Sequence, residues 1–159
     1  MWPFGRSRRD VDGSTHAGPL GRILASRLFR RARLPGTDAA SLGLLGEKLA
    51  RAALGKAGLK VLAANYRCPP GEIDLIALRQ VRGAEDLLVF VEVKTRASDY
   101  HTYPWAAVDA GKQRRLRRCG DYYVRAHPAA AGLERRFDVI SIVAAPGQAP
   151  RVEHIEGAF

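Results

Sequence analysis

The chain reads as an α/β domain on a mixed central sheet, in the order helix, three strands, helix, two strands. Three observations predict it. A leucine-rich stripe at helical spacing opens the organised region, three strand-like runs follow with only short polar breaks, and an arginine-rich amphipathic stretch separates them from a final pair of strands. At 159 residues and 47% apolar composition the chain supports one domain that buries its own core.

Residues 1–38 differ in kind from the rest. The first forty positions hold eight Arg and no Lys, broken by Gly, Ser and Pro up to Pro19. Residues 1–18 are expected to be disordered, and the spacing of Leu20, Ile23, Leu24 and Leu28 allows a short basic amphipathic helix within 20–34. A solubilising tail, a nucleic-acid arm and a membrane-surface arm are all open readings of it. Asp10 and Asp12 argue against an organellar transit peptide.

The organised domain, 39–159, follows Pro35-Gly36. Thr37, Asp38 and Ser41 offer caps for a helix of about residues 39–57, and Gly58 suits its left-handed end. Leu42, Leu45, Leu49, Ala50, Ala53 and Leu54 form its apolar arc, with Glu47 at the edge, where it can extend an acid towards the sheet. Residues 59–67 read as the first strand, and Pro69-Pro70-Gly71 turns it into the second.

The second and third strands, Gly71-Glu72-Ile73-Asp74-Leu75-Ile76 and Val89-Phe90-Val91-Glu92-Val93-Lys94, carry the chemistry. Side chains alternate across a strand, so Glu72 and Asp74 are expected on one face and Ile73, Leu75 and Ala77 on the other. Glu92 and Lys94 likewise share a face opposite Val89, Val91 and Val93. The polar connection 79–86 favours antiparallel neighbours, which lets Asp74, Glu92 and Lys94 converge. An isolated Glu-x-Lys on a strand usually reads as a solvated edge; Leu87 to Val91 do not look like an edge, and the acids recur on the preceding strand. Carboxylates that converge in a partly dry site repel unless a cation sits between them, and hard oxygen donors select Mg2+ or Mn2+. Asp74 and Glu92 are the expected ligands.

Residues 95–105 form a polar and aromatic loop with Arg96, Tyr100, His101, Tyr103 and Trp105, suited either to contact with nucleic acid or to covering the core. Asp109 can cap a second helix of about 109–126, whose inner stripe is Leu116, Cys119 and Tyr123 with Lys112 one turn before it. Lys112 is therefore expected to face the sheet. Arg114, Arg117 and Arg118 lie on other faces, where phosphate neutralisation suits them. Residues 136–143 form a strand expected beside the third through the helical crossover, with Asp138 paired to Arg135 or Arg136, and 151–155 an edge strand.

Taken together, Gly46-Glu47, Gly71-Glu72-Ile73-Asp74, Phe90-Val91-Glu92-Val93-Lys94 and Arg136-Phe137-Asp138-Val139-Ile140 resemble the YraN-type family of small bacterial proteins. That family is similar to the archaeal Holliday junction resolvases of the PD-(D/E)xK nuclease superfamily. The resemblance covers about residues 41–159 and implies a restriction-endonuclease-like, resolvase-like sandwich with helices flanking the sheet. It also implies a Mg2+- or Mn2+-dependent endonuclease whose ion is held by Asp74, Glu92 and the backbone carbonyl of Val93. By position, Asp74 resembles the superfamily's metal-binding aspartate, Glu92 its second carboxylate, Lys94 its lysine and Glu47 the additional acid of the first helix. Lys112 falls where relatives carry a glutamine or lysine. Ile73 stands where the superfamily's name has proline. In this reading Glu47 and Glu72 position water or a second ion, and Lys112 with Arg96, Arg114, Arg117 and Arg118 holds nucleic acid, DNA before RNA. Resolution of a junction would call for a homodimer.

Composition agrees independently. A formal charge of +10 and a pI near 10.3 call for an anionic partner, nucleic acid first and a membrane surface second. Cys68 and Cys119 lack C-x-x-C neighbours, so neither a zinc site nor a disulfide framework is indicated, and a reducing cytoplasmic setting is the simplest. No run reaches the ~18–20 apolar residues that span a bilayer. A non-catalytic nucleic-acid binder that keeps the nuclease fold is the alternative function.

Overall fold

The computed structural model describes residues 38–80, 83, 86–98 and 108–159. The N-terminal tail with the helix expected within 20–34, most of the 81–85 connection, and Tyr100, His101, Tyr103 and Trp105 lie outside the described residues. None of the described helices is long and apolar enough to cross a membrane.

The described elements are α1 (Ala39–Lys56), β1 (Lys60–Cys68), β2 (Gly71–Arg79), β3 (Leu87–Arg96), α2 (Ala110–Ala126), β4 (Glu134–Val143) and β5 (Arg151–Ile155), with a 3-10 turn at Pro128–Ala130 that the sequence reading did not include. The order is the expected α-β-β-β-α-β-β. Strands lie in the sheet in chain order, with β1, β2 and β3 antiparallel, β3 and β4 parallel, and β4 and β5 antiparallel. Strands β2 and β3 run further than expected because their ladder continues through Leu78↔Leu88 and Arg79↔Leu87 to the connection.

Each helix covers one face. Leu49, Ala50 and Leu54 of α1 pack on Leu75, Ala77, Val89, Val91, Ile140 and Ile142. On the other face, Leu116, Cys119 and Tyr123 of α2 pack on Ile73, Ile76, Leu88, Phe90 and Val139. The clean alternation of β3 between these clusters makes it the most buried strand, since a central strand must satisfy an apolar layer on both sides.

One expectation about alternation fails. Ile73 lies with Ile76 in the α2 layer, whereas Leu75 and Ala77 lie in the α1 layer, so β2 changes face between Ile73 and Leu75. Strand β1 changes face at the matching place: Ala64 packs with the α1 layer and Tyr66 with the α2 layer. Between them Asn65 has φ 50°, in the left-handed region that Asn tolerates better than most side chains. Ala64 pairs with Leu75 and Tyr66 with Ile73, so Asn65 falls across the ladder from Asp74. The twist at Asn65 thus reorients the stretch of β2 that bears the aspartate.

The ends of both helices are fixed by expected residues. Asp38 caps α1 by accepting from the Ser41 N–H at 2.9 Å. Asp109 caps α2 by accepting from the Lys112 N–H at 2.8 Å. At the other contact that sets α1, a Cβ added to Gly46 would sit 2.0 Å from Thr95 Oγ1 and 3.1 Å from Thr95 Cβ. The helix therefore lies directly on the strand end that follows Lys94. Gly46→Ala is expected to destabilise the fold by about 1–3 kcal/mol, as overpacking does, and Thr95→Ala should recover part of the loss. Urea denaturation of the single and double variants checks this.

Both thiols are free and meet near the β1–β2 turn. Cys68 Sγ lies 3.4 Å from the Gly71 carbonyl it donates to. Cys119 is fully buried, and burial, reinforced by the neighbouring Cys68 thiol, pushes its pKa up to about 12. A thiol so held is inert as a nucleophile. Iodoacetamide near neutral pH should leave Cys119 unlabelled in the native protein and label it in urea, as read by peptide mass spectrometry. Native labelling of Cys119 would contradict this packing.

Candidate functional site

The register of β2 with β3 runs from Arg79↔Leu87 to Leu75↔Val91 and stops there. One more step would set Asp74 directly opposite Glu92, two carboxylates face to face. Instead Asp74 Oδ2 accepts from the Val93 N–H at 2.7 Å, taking the place of a backbone partner. A strand residue presents its N–H and C=O to the same neighbour. The Val93 carbonyl consequently faces the same gap between the strands as Asp74.

Glu92 is 3% exposed and is held by two ammonium groups on one oxygen. Lys94 Nζ lies 2.8 Å from Glu92 Oε1, and Lys112 Nζ donates to that same oxygen. Lys94 reaches Glu92 because both side chains emerge on the α2 side of β3. Lys112 reaches it because the Asp109 cap fixes the first turn of α2 above the strand end. A buried carboxylate left without such partners would cost several kcal/mol.

The charges are strongly coupled. Burial, and next the charge of Glu92, raise the pKa of Asp74 above the ordinary carboxylate value, against the lowering by the Val93 N–H, Lys112 and Lys94. Burial disfavours the charged form of Lys112, but its hydrogen bond to Glu92 and the charges of Glu92 and Asp74 outweigh that and raise its pKa. The site therefore holds two carboxylates under mutual repulsion, with cations already drawn to one of them.

Asp74, Glu92, Lys94, Lys112 and the backbone of Val93 come together; other expected members do not. Glu47 reaches the region through the Asn65 side chain, but its carboxylate is bound by Arg51 of its own helix at 2.8 Å. The reason is the favourable i, i+4 spacing of an acid and a base on one helix. Glu72 is exposed and lies 3.6 Å from Arg67, its register partner on β1, so it points away from the cluster. The face change at Asn65 separates it from Asp74. Asp138 lies on the opposite, α1 face of the sheet and is bound by Arg136, as the sequence reading favoured. Arg135 instead pairs with Asp121 at 2.9 Å. Arg114 and Arg118 are exposed on α2. Arg117 is exposed too, but its guanidinium lies over the Phe159 ring, 5.4 Å from the centroid. Arg96 ends β3, and its carbonyl accepts from the Ala144 N–H.

No group of three or more His, Cys, Asp or Glu suited to a metal gathers among the described residues. The donor set that does gather fits Mg2+ or Mn2+: both are hard ions, and Mg2+ characteristically takes one or two carboxylates and leaves its other positions to water and substrate phosphate. The pKa of Asp74, raised by burial first and by the charge of Glu92 next, is one that a cation bound between the two carboxylates would lower. Asn65 and the Glu47–Arg51 pair were not foreseen. An Asn inside an otherwise β-like run, and a Glu four residues before an Arg, are the signals that could have found them.

A family model described as "Uncharacterised protein family UPF0102" matches residues 46–142, the span from Gly46 through β4. A UPF0102 protein of Syntrophotalea carbinolica is 44% identical over 119 residues, covering 75% of this chain and 91% of the relative. Those of Paenarthrobacter aurescens and Moorella thermoacetica are 40% and 42% identical over 116 and 118 residues, covering 73% and 74% of this chain and 91% and 93% of the relatives.

Proposed function

This chain belongs to the UPF0102 family, and we propose that its Asp74, Glu92 and Lys94 cluster hydrolyses phosphodiester bonds in nucleic acid with a divalent metal ion. The observation that carries the reading is the pairing of Asp74, raised in pKa and turned into the gap beside Val93, with a buried Glu92 on which two ammonium groups converge. Asp74, Glu92 and the Val93 carbonyl hold the ion. Bound there, Mg2+ or Mn2+ supplies Lewis-acid polarisation of the phosphate and a lowered pKa for an attacking water.

The chain's own groups do the rest. Lys94 stands beside the carboxylates and stabilises negative charge as it develops on the phosphate oxygens. Lys112, set at the first turn of α2, offers its ammonium to a neighbouring phosphate. Water adds to phosphorus, one P–O ester bond breaks, and the products are a phosphate monoester and a free hydroxyl. The likeness of these motifs to the PD-(D/E)xK nucleases supports the same chemistry, with branched DNA of repair or recombination as the substrate and a homodimer as the form that would act on it. The net charge of +10 supports nucleic acid as partner.

A second reading, a non-catalytic nucleic-acid binder, draws on the saturation of Glu92 Oε1 by Lys94 and Lys112 and the diversion of Glu47 to Arg51. A cleavage screen decides between the two. Junctions, flaps, nicked duplex, single strands and RNA are incubated with Mg2+ or Mn2+, beside an EDTA control. Metal-dependent product is expected on at least one substrate. Salt-sensitive binding that ignores metal, with no product on any substrate, favours the second reading.

A further inference from the structure

The basic groups of α2 are not spread evenly around it. At 100° per residue Arg115, Arg118, Tyr122 and Arg125 fall within one arc of about 80° on the outer side and one flank of the helix, bordered on the outer side by Arg114 and Asp121, while Arg117 lies further round towards the other flank. All four side chains of the stripe are exposed, Tyr122 being 38% exposed and one of the few large hydrophobic residues at the surface among the described residues. Arg125 braces the tyrosine, its guanidinium 5.4 Å from the ring centroid. Asp121, the acid that borders the stripe, is paired with Arg135 at 2.9 Å.

The stripe also has a direction. Arg117, on the other flank, lies over Phe159 in the segment beyond β5. Since β1 and β5 are opposite edges of the sheet, the stripe runs along the β1 side of α2, the side on which β2 carries Asp74. It begins beside Lys112 and reaches Tyr122 ten residues later, about 15 Å along the helix axis.

We propose that the Arg115, Arg118, Tyr122 and Arg125 stripe is a track for an unpaired strand, which makes the substrate of the Asp74 and Glu92 site a nucleic acid with a single-stranded segment. This rests on the nuclease reading for the destination of the strand but not for the binding itself. Arg115 and Arg118, one turn apart, and Arg125, two turns further on, match a run of phosphates, and the exposed ring between Arg118 and Arg125 offers a face for stacking. In a duplex the faces of the bases are already stacked on one another, so a side-on tyrosine finds none to meet. Only an unpaired base supplies the second partner that Tyr122 can use.

Binding is measured by fluorescence anisotropy in EDTA at fixed salt, on a labelled single-stranded oligonucleotide and on a hairpin duplex of the same number of phosphates. Wild type should bind the single strand more tightly. Tyr122→Ala should weaken single-strand binding about five- to a hundredfold and leave the duplex unchanged, with Tyr122→Phe close to wild type. Arg118→Ala should weaken both forms and flatten the salt dependence. Circular dichroism melting of each variant should match the wild type, since both side chains are exposed.

Equal binding of single strand and duplex by wild type, or a Tyr122→Ala variant that loses nothing or loses equally on both, overturns the track. An Arg118→Ala variant with undiminished binding does the same. Because metal is absent, these outcomes are independent of turnover. A protein that shows this binding pattern yet yields no product in the cleavage screen keeps the track and loses the nuclease reading; one that cleaves fully paired duplex without preference does the reverse.

Discussion

Asp74→Asn is expected to abolish metal-dependent cleavage, on the order of a thousandfold or more, while its melting temperature stays at or above that of the wild type. The rate effect corresponds to about 4 kcal/mol of lost transition-state stabilisation, in the range a bound metal supplies. The fold survives because a carboxamide oxygen can still accept from the Val93 N–H, the bond that Asp74 Oδ2 makes at 2.7 Å. It also removes a charge that burial and Glu92 both oppose. Lys94→Ala should lose cleavage in the same way and remain folded, because Lys112 still donates to the buried Glu92 oxygen. Undiminished product from either purified variant would reject the assignment.

The second large effect is on stability and lies on the other face of the sheet. Asp138 is completely buried and accepts four hydrogen bonds: two from Arg136 at 2.8 Å, one from the His154 ring at 2.8 Å and one from the Gly157 N–H at 2.9 Å. Arg136 goes on to Glu156 at 2.9 Å, and Glu156 to Arg79 at 3.0 Å. Asp138→Ala strands these donors and is expected to destabilise the fold by about 3–5 kcal/mol, the usual consequence of breaking a buried pair. In urea that is a midpoint lower by more than about 1 M. A variant with an unchanged midpoint would contradict the network.

The same carboxylate sets an acid dependence. Burial alone would raise its pKa, but the bonds from His154, Arg136 and the Gly157 N–H outweigh that and hold it below the ordinary value of 3.8. The folded form thus binds fewer protons than the unfolded one between those two values. Its contribution to stability is fully present above the ordinary carboxylate range and is lost as pH falls through the lowered value. Asp138→Asn should accordingly flatten the acid limb of the stability profile measured by denaturation.

The sequence made the central cluster legible because its parts depend on short-range rules. Glu92 and Lys94 share a face by the two-residue period of a strand, Asp74 joins them through a short antiparallel connection, and Lys112 follows from a helical stripe begun at Leu116. Features decided by a single backbone angle were not legible in this way. The left-handed Asn65 moves Ile73 into the α2 layer and separates Glu72 from Asp74, and strict alternation has no means of registering such a turn. Glu47 illustrates a different limit: helical spacing sets it at the edge of the apolar arc, but Arg51 one turn later competes for the carboxylate. Arg117 needed Phe159, over forty residues away, for its contact to be seen.

Whether Asp74 and Glu92 share a divalent ion is decided by isothermal titration of Mn2+ into the protein with a short oligonucleotide present. Saturable uptake is expected for the wild type and none for Asp74→Asn. No uptake by the wild type, or equal uptake by the variant, would contradict a shared ion.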